Sequence, residues 1–168
     1  MTESAPFTQL QDLSTVLASL VASTAPSVTA VQSHRSRSSG FVWRPGLIVT
    51  ADEALSEDCE FAVTLSGGVT VPSQLVGGDP TTDVALLRVD SSDLRPVPLE
   101  ASPVPVGALA IAIGAEDGAP TAALGVLYRQ TDQGGDDGKL AEMHCKTRRR
   151  GHSYKLGKRG ERLLERAG

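Results

Sequence analysis

An all-β fold preceded by one helix is what this sequence predicts. Three observations carry that reading. Apolar residues recur at every second position in several short runs, Gly, Pro and Asp punctuate the gaps, and a stripe with steps of three and four occurs only near the start. Periodicity leaves a barrel and a sandwich equally open. The core must be aliphatic, because aromatics are 4% of the 168 residues.

The elements follow in order. Between Thr8 and Ala22, apolar side chains fall at Leu10, Leu13, Val16, Leu17, Leu20 and Val21, one stripe of a helix that must pack on something. Pro26 sets its latest end, since the residue before proline avoids the helical region. From Val28 to Gln32 the period becomes two, a strand. His34–Ser39 is polar and reads as a loop. Gly40–Trp43 and Leu47–Thr50 flank Arg44-Pro45-Gly46, where Pro then Gly suits a type II turn and makes a hairpin. Phe61–Leu65 and Val69–Leu75 are joined by Ser66-Gly67-Gly68, and Gly77-Gly78-Asp79-Pro80 is a break. Val84–Val89 is dense enough in apolar residues for a strand buried on both faces. Ala108–Ile113 is another strand, and Leu124–Leu127 a weak last one.

Charge divides the chain. The formal net charge is -4, yet residues 139–168 hold ten basic side chains and three acidic ones, while residues 1–138 hold six basic and 17 acidic. After Tyr128 the alternation ends, and Thr131–Gly138 is polar and Gly-rich. Such a segment buries too little area to offset its ordering entropy, so disorder is expected from 129 onward. Its basic residues (Lys146, Arg148, Arg149, Arg150, Lys155, Lys158, Arg159, Arg162 and Arg166) fit salt-sensitive contact with nucleic acid, attachment to the acidic body, or an extension not evolved for this fold.

Several classes are excluded or disfavoured. Two cysteines, Cys59 and Cys145, cannot build a disulfide scaffold or a four-Cys zinc site. No apolar run approaches the ~20 residues of a membrane helix, so no membrane partner is expected. No basic residue precedes Arg35, and the apolar stretch Leu10–Val21 is interrupted by Asp12, Ser14, Thr15 and Ser19. An export signal is therefore not expected, and the cytoplasm is the expected compartment. His34, His144 and His152 lie in polar surroundings, and their spacing matches no zinc pattern. Cys59 reads as a small buried apolar residue. Asp52-Glu53, Glu57-Asp58 and Glu60 read as a solvated acidic loop, with a cation or basic partner as the minority alternative. No cofactor is expected.

Ordered pieces of the sequence carry a resemblance. They are Ala25-Pro26-Ser27-Val28-Thr29-Ala30-Val31, Ser39-Gly40-Phe41-Val42, Leu47-Ile48-Val49-Thr50-Ala51, Leu65-Ser66-Gly67-Gly68, Val76 through Leu87 (VGGDPTTDVALL), and Val106-Gly107 through Ala112-Ile113-Gly114. Together they resemble the N-terminal half of a trypsin-like serine protease domain of the HtrA (DegP-like) type. The resemblance implies an amino-terminal helix (residues 1–24), the first of two six-stranded β-barrels (25–128), and a Gly-rich linker with a basic, disordered tail (129–168). The second barrel of the family, with its Gly-x-Ser-Gly-Gly loop, finds no match here.

In that family the imidazole takes the serine proton, a carboxylate orients the imidazole, and backbone N–H groups hold the oxyanion. Asp83 matches the family's catalytic Asp. The family's His position falls on Glu53. A carboxylate cannot become a cationic ring between Ser and Asp, and beside Asp83 it sets two like charges together. Ser66-Gly67-Gly68 reads as a hairpin turn and not as a nucleophile loop. With no His beside it, Asp83 reads as a strand-start Asp satisfied by backbone N–H groups. The implied function is that of a truncated, catalytically incompetent serine protease homologue, with Asp83 vestigial and Glu53 non-functional at the His position. Unfolded or peptide ligands and self-association through an exposed barrel face are the expected partners. The alternative is a non-enzymatic module whose basic tail contacts nucleic acid or an acidic partner.

Overall fold

The computed structural model describes residues 5–34, 36–55, 60–91, 93–100, 102, 104–132, 139–145 and 152–156, with backbone alone for residues 5, 6 and from 129 onward. Helix α1 spans Ala5–Thr24 and gives way to a 3-10 turn at Ala25–Ser27, where Pro26 stops it as expected. Its stripe is only partly used. Leu17 and Val21 face Ile111, Ala122 and Leu124 across a crevice, whereas Leu10, Leu13, Val16 and Leu20 remain exposed.

Six strands then close a barrel: β1 (Val28–Gln32), β2 (Arg37–Arg44), β3 (Leu47–Thr50), β4 (Phe61–Thr64), β5 (Thr70–Asp79) and β6 (Val84–Val89), hydrogen-bonded in the order β1-β2-β3-β6-β5-β4. Every pairing is antiparallel. Val31, Val42, Ile48, Phe61, Val63, Leu87 and Val89 fill the interior. Each such side chain contributes about 1.5–3 kcal/mol by leaving water. A second cluster has Val49 and Leu86 under Phe41, Trp43, Leu47 and Val84. β6 is thus buried on both faces: Ala85, Leu86 and Leu87 are at most 1% exposed. The Pro45-Gly46 turn forms, with Gly46 at φ +75°. Ser66-Gly67-Gly68 is a hairpin turn, closed by the Gly68 N–H on the Leu65 carbonyl at 3.0 Å.

Three boundaries differ from the sequence reading. The expected loop His34–Ser39 is shorter, because β2 begins at Arg37. The expected break at Gly77–Pro80 lies largely inside β5, which continues to Asp79 through a register shift between Leu75 and Gly77. A bulge lets a strand carry Gly-Gly without losing its partner. The barrel is also complete at Val89 and does not extend to Tyr128. β7 (Leu109–Glu116) and β8 (Ala119–Asp132) belong to a second sheet with β9 (Lys139–Cys145) and β10 (His152–Leu156), in the order β10-β9-β8-β7. Two of these strands fall where disorder was expected. Pairing to β8 supplies backbone hydrogen-bond partners that hydropathy does not report. Lys146, Arg148–Arg150 and residues 157–168 lie outside the described residues, as do Glu57, Asp58 and Cys59.

Candidate active-site region

β3 ends at Thr50, and the chain enters a 3-10 turn, Asp52–Ala54, that carries Glu53. Three anchors fix this turn. The Glu53 backbone N–H donates to Asp83 Oδ1 at 2.8 Å. Ser33 Oγ donates to the Ala54 carbonyl oxygen at 3.2 Å, and Ser36 Oγ donates to the same oxygen. Leu55, just after the turn, packs on the barrel core. The two serines are themselves tied, with Ser33 N–H on the Ser36 carbonyl and their hydroxyls 3.0 Å apart.

Asp83 comes from the β5–β6 turn. Its φ of +55° is a left-handed conformation that Asp tolerates better than bulkier residues. Asp79 organises this turn. Its Oδ1 accepts the Thr81 N–H at 2.9 Å and its Oδ2 accepts from Thr82 Oγ1 at 2.9 Å. The Thr82 hydroxyl and the Thr81 N–H together hold the Asp79 carboxyl below the ordinary range. The structure therefore brings Glu53 and Asp83 together across 30 positions of sequence. What binds Asp83 is a backbone N–H, and both residues are solvent-exposed.

Like-charge crowding acts on Asp52. Asp52 has its pKa raised, first by burial and then by the charges of Asp83 and Asp79. Its carboxylate occupies the space beside Gly78 that a Cβ there would need. Ser33, Ser36 and the separate role of Asp52 escaped the sequence reading. Serines that bind a carbonyl 18 and 21 residues away leave no local signal. Glu60 is exposed, and so is His34 on the turn after β1. The side chains of His144, Cys145 and His152 lie outside the described residues. Among the described residues no group of three His, Cys, Asp or Glu is placed to hold a metal ion. Among those residues, too, no helix is long and apolar enough to cross a membrane.

The anchors hold the backbone of this turn, and the exposed Glu53 carboxylate that it carries can accept hydrogen bonds.

Comparison with known proteins gives this geometry a context. The family profile described as a trypsin-like peptidase domain matches residues 38–153. A probable periplasmic serine endoprotease, DegP-like, of Pseudomonas putida is 37% identical over 86 residues, which is 50% of this chain and 18% of that protein. The chloroplastic Protease Do-like 1 of Arabidopsis thaliana is 40% identical over 80 residues, 45% of this chain and 18% of that protein. The chain thus spans less than a fifth of these relatives' length. Among solved structures, the protease Rv3671c in an inactive form superposes with a TM-score of 0.67 at 22% identity, covering 83% of this chain and 76% of that one. A serine-to-alanine mutant of Rv3671c from M. tuberculosis, also inactive, gives 0.69 at 20% identity and 88% of both chains. At those identities the structures speak for the fold.

The expected cytoplasmic compartment is overturned here, because the Pseudomonas relatives are named periplasmic. That expectation was drawn from the residue pattern near the start of the sequence, where the described residues form α1. The profile match over residues 38–153 and the closed six-stranded barrel agree, and the chain belongs to the trypsin-like peptidase domain family, with DegP-like relatives over its N-terminal half.

Proposed function

We propose that this chain is a non-hydrolytic member of its family that binds polypeptide without cleaving it, outside the cytoplasm. The observation that supports the reading is Glu53. By the sequence resemblance it falls at the position of the family's His, and its backbone N–H donates to Asp83 Oδ1 at 2.8 Å. The anchors of the turn are in place, but the group they present is an acceptor. Loss of the histidine in such triads lowers kcat by on the order of 10⁴–10⁶. The reading rests on Glu53 and not on the lack of a Gly-x-Ser-Gly-Gly string.

The test is incubation of the purified chain with unfolded casein. No turnover above buffer is expected. Cleavage that a serine-reactive phosphonate blocks overturns the proposal. The nucleic-acid alternative, favoured by the ten basic residues of 139–168, predicts affinity for random duplex that falls steeply with salt. Indifference to duplex at low salt removes it.

A further inference from the structure

The β7–β8 hairpin and the barrel touch at two places and part between them. Side chains alternate along a strand, so Gly114, Glu116 and Thr121 share one face of the hairpin. That face looks at the barrel, where Ala30 and Gln32 of β1 stand opposite Ser39 and Arg37 of β2. These four lie on the outer side, because the alternate residue Val31 points into the core. At the base of the hairpin face, a Cβ on Gly114 would sit 2.6 Å from Ser39 Oγ. That hydroxyl accepts the Ala115 N–H at 3.0 Å and donates to the Ala115 carbonyl at 3.4 Å. At the tip, Gly118 lies on Gly68, with an added Cβ 2.6 Å from its Cα. Arg37 Nη1 and Asp117 Oδ1 bridge the gap at 3.4 Å. The space enclosed is a crevice of about 200 Å³.

Among the described residues, the charged groups lining this crevice are Arg37, Glu116 and Asp117. Among those residues, too, Arg37 uses one N–H, on Asp117, whereas a guanidinium offers five in a fixed fork. The pair is exposed, so parting it for a better-placed partner costs little. Ala30 supplies a methyl to the floor, and Gln32 and Thr121 supply an amide and a hydroxyl to the walls. The volume suits a ligand of a few heavy atoms.

We propose that this crevice binds a small free α-amino acid as its zwitterion. The ligand carboxylate takes the fork of Arg37, the ammonium goes to Asp117 and Glu116, and the side chain lies on Ala30 between Gln32 and Thr121. Charge selects the class. A zwitterion gives each half of the Arg37–Asp117 pair a new partner of opposite sign, and Glu116 adds a second acceptor for the ammonium. A simple anion meets two carboxylates, and a simple cation meets Arg37. The chain's own basic side chains, ten of them in residues 139–168, are cations without a carboxylate, so they leave Arg37 facing a like charge. The site stands apart from Glu53 and goes beyond the proposed polypeptide binding; casein turnover would leave this crevice as it is.

The experiment titrates the isotope-labelled full chain with L-threonine, whose methyl and hydroxyl suit the crevice, and follows amide resonances. Those of Gln32, Arg37, Ala115, Glu116 and Asp117 are expected to shift saturably, with half-saturation at about 1 mM or below. L-threonine amide lacks the carboxylate and N-acetyl-L-threonine lacks the ammonium, so each should bind at least about tenfold more weakly. Glu116→Gln and Asp117→Asn should each weaken L-threonine by about fivefold or more. Asn accepts the left-handed conformation at position 117, which keeps the hairpin turn. The three ligands on the unaltered chain decide the matter even if a variant misfolds. Equal binding of all three, or no saturable shift at these amides, overturns the proposal. So does tighter binding of the amide than of L-threonine, which assigns the crevice to a lone cation such as a Lys or Arg side chain.

Discussion

At Gly40 an added Cβ would lie 2.8 Å from Ile48 Cγ2, 2.9 Å from the Val49 carbonyl oxygen and 3.1 Å from Val31 Cγ2. Two of these neighbours are core side chains and one is backbone, so none can yield cheaply. Gly40→Ala is expected to lower stability by about 1–3 kcal/mol, read as a drop in the urea midpoint at unchanged slope. Beside the candidate site, Asp52 and Asp79 act in opposite directions. Folding raises the Asp52 pKa above 3.8, so the folded chain holds that proton more tightly than the unfolded chain. The resulting penalty is absent well below pH 3.8 and complete once pH passes the raised folded value. Asp52→Asn should therefore raise Tm at pH 7 and leave it unchanged at pH 3. Asp79 has its pKa lowered by the Thr82 hydroxyl and the Thr81 N–H, so its contribution is present above 3.8 and fades as pH falls through the lower folded value. Asp79→Ala should lower Tm at pH 7, with the difference shrinking in acid. Thermal scans at the two pH values check both signs, and equal shifts at pH 3 and pH 7 would refute the electrostatic account.

Among the elements, the β7–β8 hairpin decides how the second sheet meets the barrel. Its two turn residues, Asp117 and Gly118, have φ of +50° and +83°, the signs a two-residue type I′ turn requires. Gly118 also lies against the β4–β5 turn: a Cβ there would be 2.6 Å from Gly68 Cα and 2.7 Å from its nitrogen. The Arg37–Asp117 ion pair spans the same junction at 3.4 Å, but its side chains are 63% and 77% exposed. An exposed pair of that kind contributes at most about 1 kcal/mol, so backbone packing is the larger effect. Gly118→Ala should speed amide exchange in β7 and β8, including the Ala115 N–H held by Ser39, and leave the barrel amides unchanged. Arg37→Ala should move Tm by much less than Gly118→Ala. A larger shift from Arg37→Ala would reverse the ranking.

At the largest scale, the described residues join a closed barrel to a four-stranded sheet. The barrel has no free edge and encloses Val42, Ile48, Val63 and Leu87 at 0% exposure. In β7 and β8, by contrast, Leu109, Leu124, Val126 and Tyr128 are 41–54% exposed. Amides of β3 and β6 should exchange at the global unfolding rate and those of β7 much sooner. Leu87→Ala should cost about 2–5 kcal/mol, because it opens a cavity in the enclosed part. A uniform exchange pattern across both sheets would contradict this division.

Alternation, turn residues and ordered motifs in the sequence determined the helix, the six barrel strands and the family. Those features are local or carried by strings such as VGGDPTTDVALL, and they need no knowledge of neighbours. Tertiary structure alone decided that the barrel closes at Val89, that β7 begins a separate sheet, that Ser33 and Ser36 hold the Ala54 carbonyl, and that Asp52 feels the charges of Asp83 and Asp79. The physical reason is the range of the interactions. A period of two says which face a side chain takes, but not which strand lies beside it. Hydrogen bonds that join residues 18 to 30 positions apart exist only once the chain has closed.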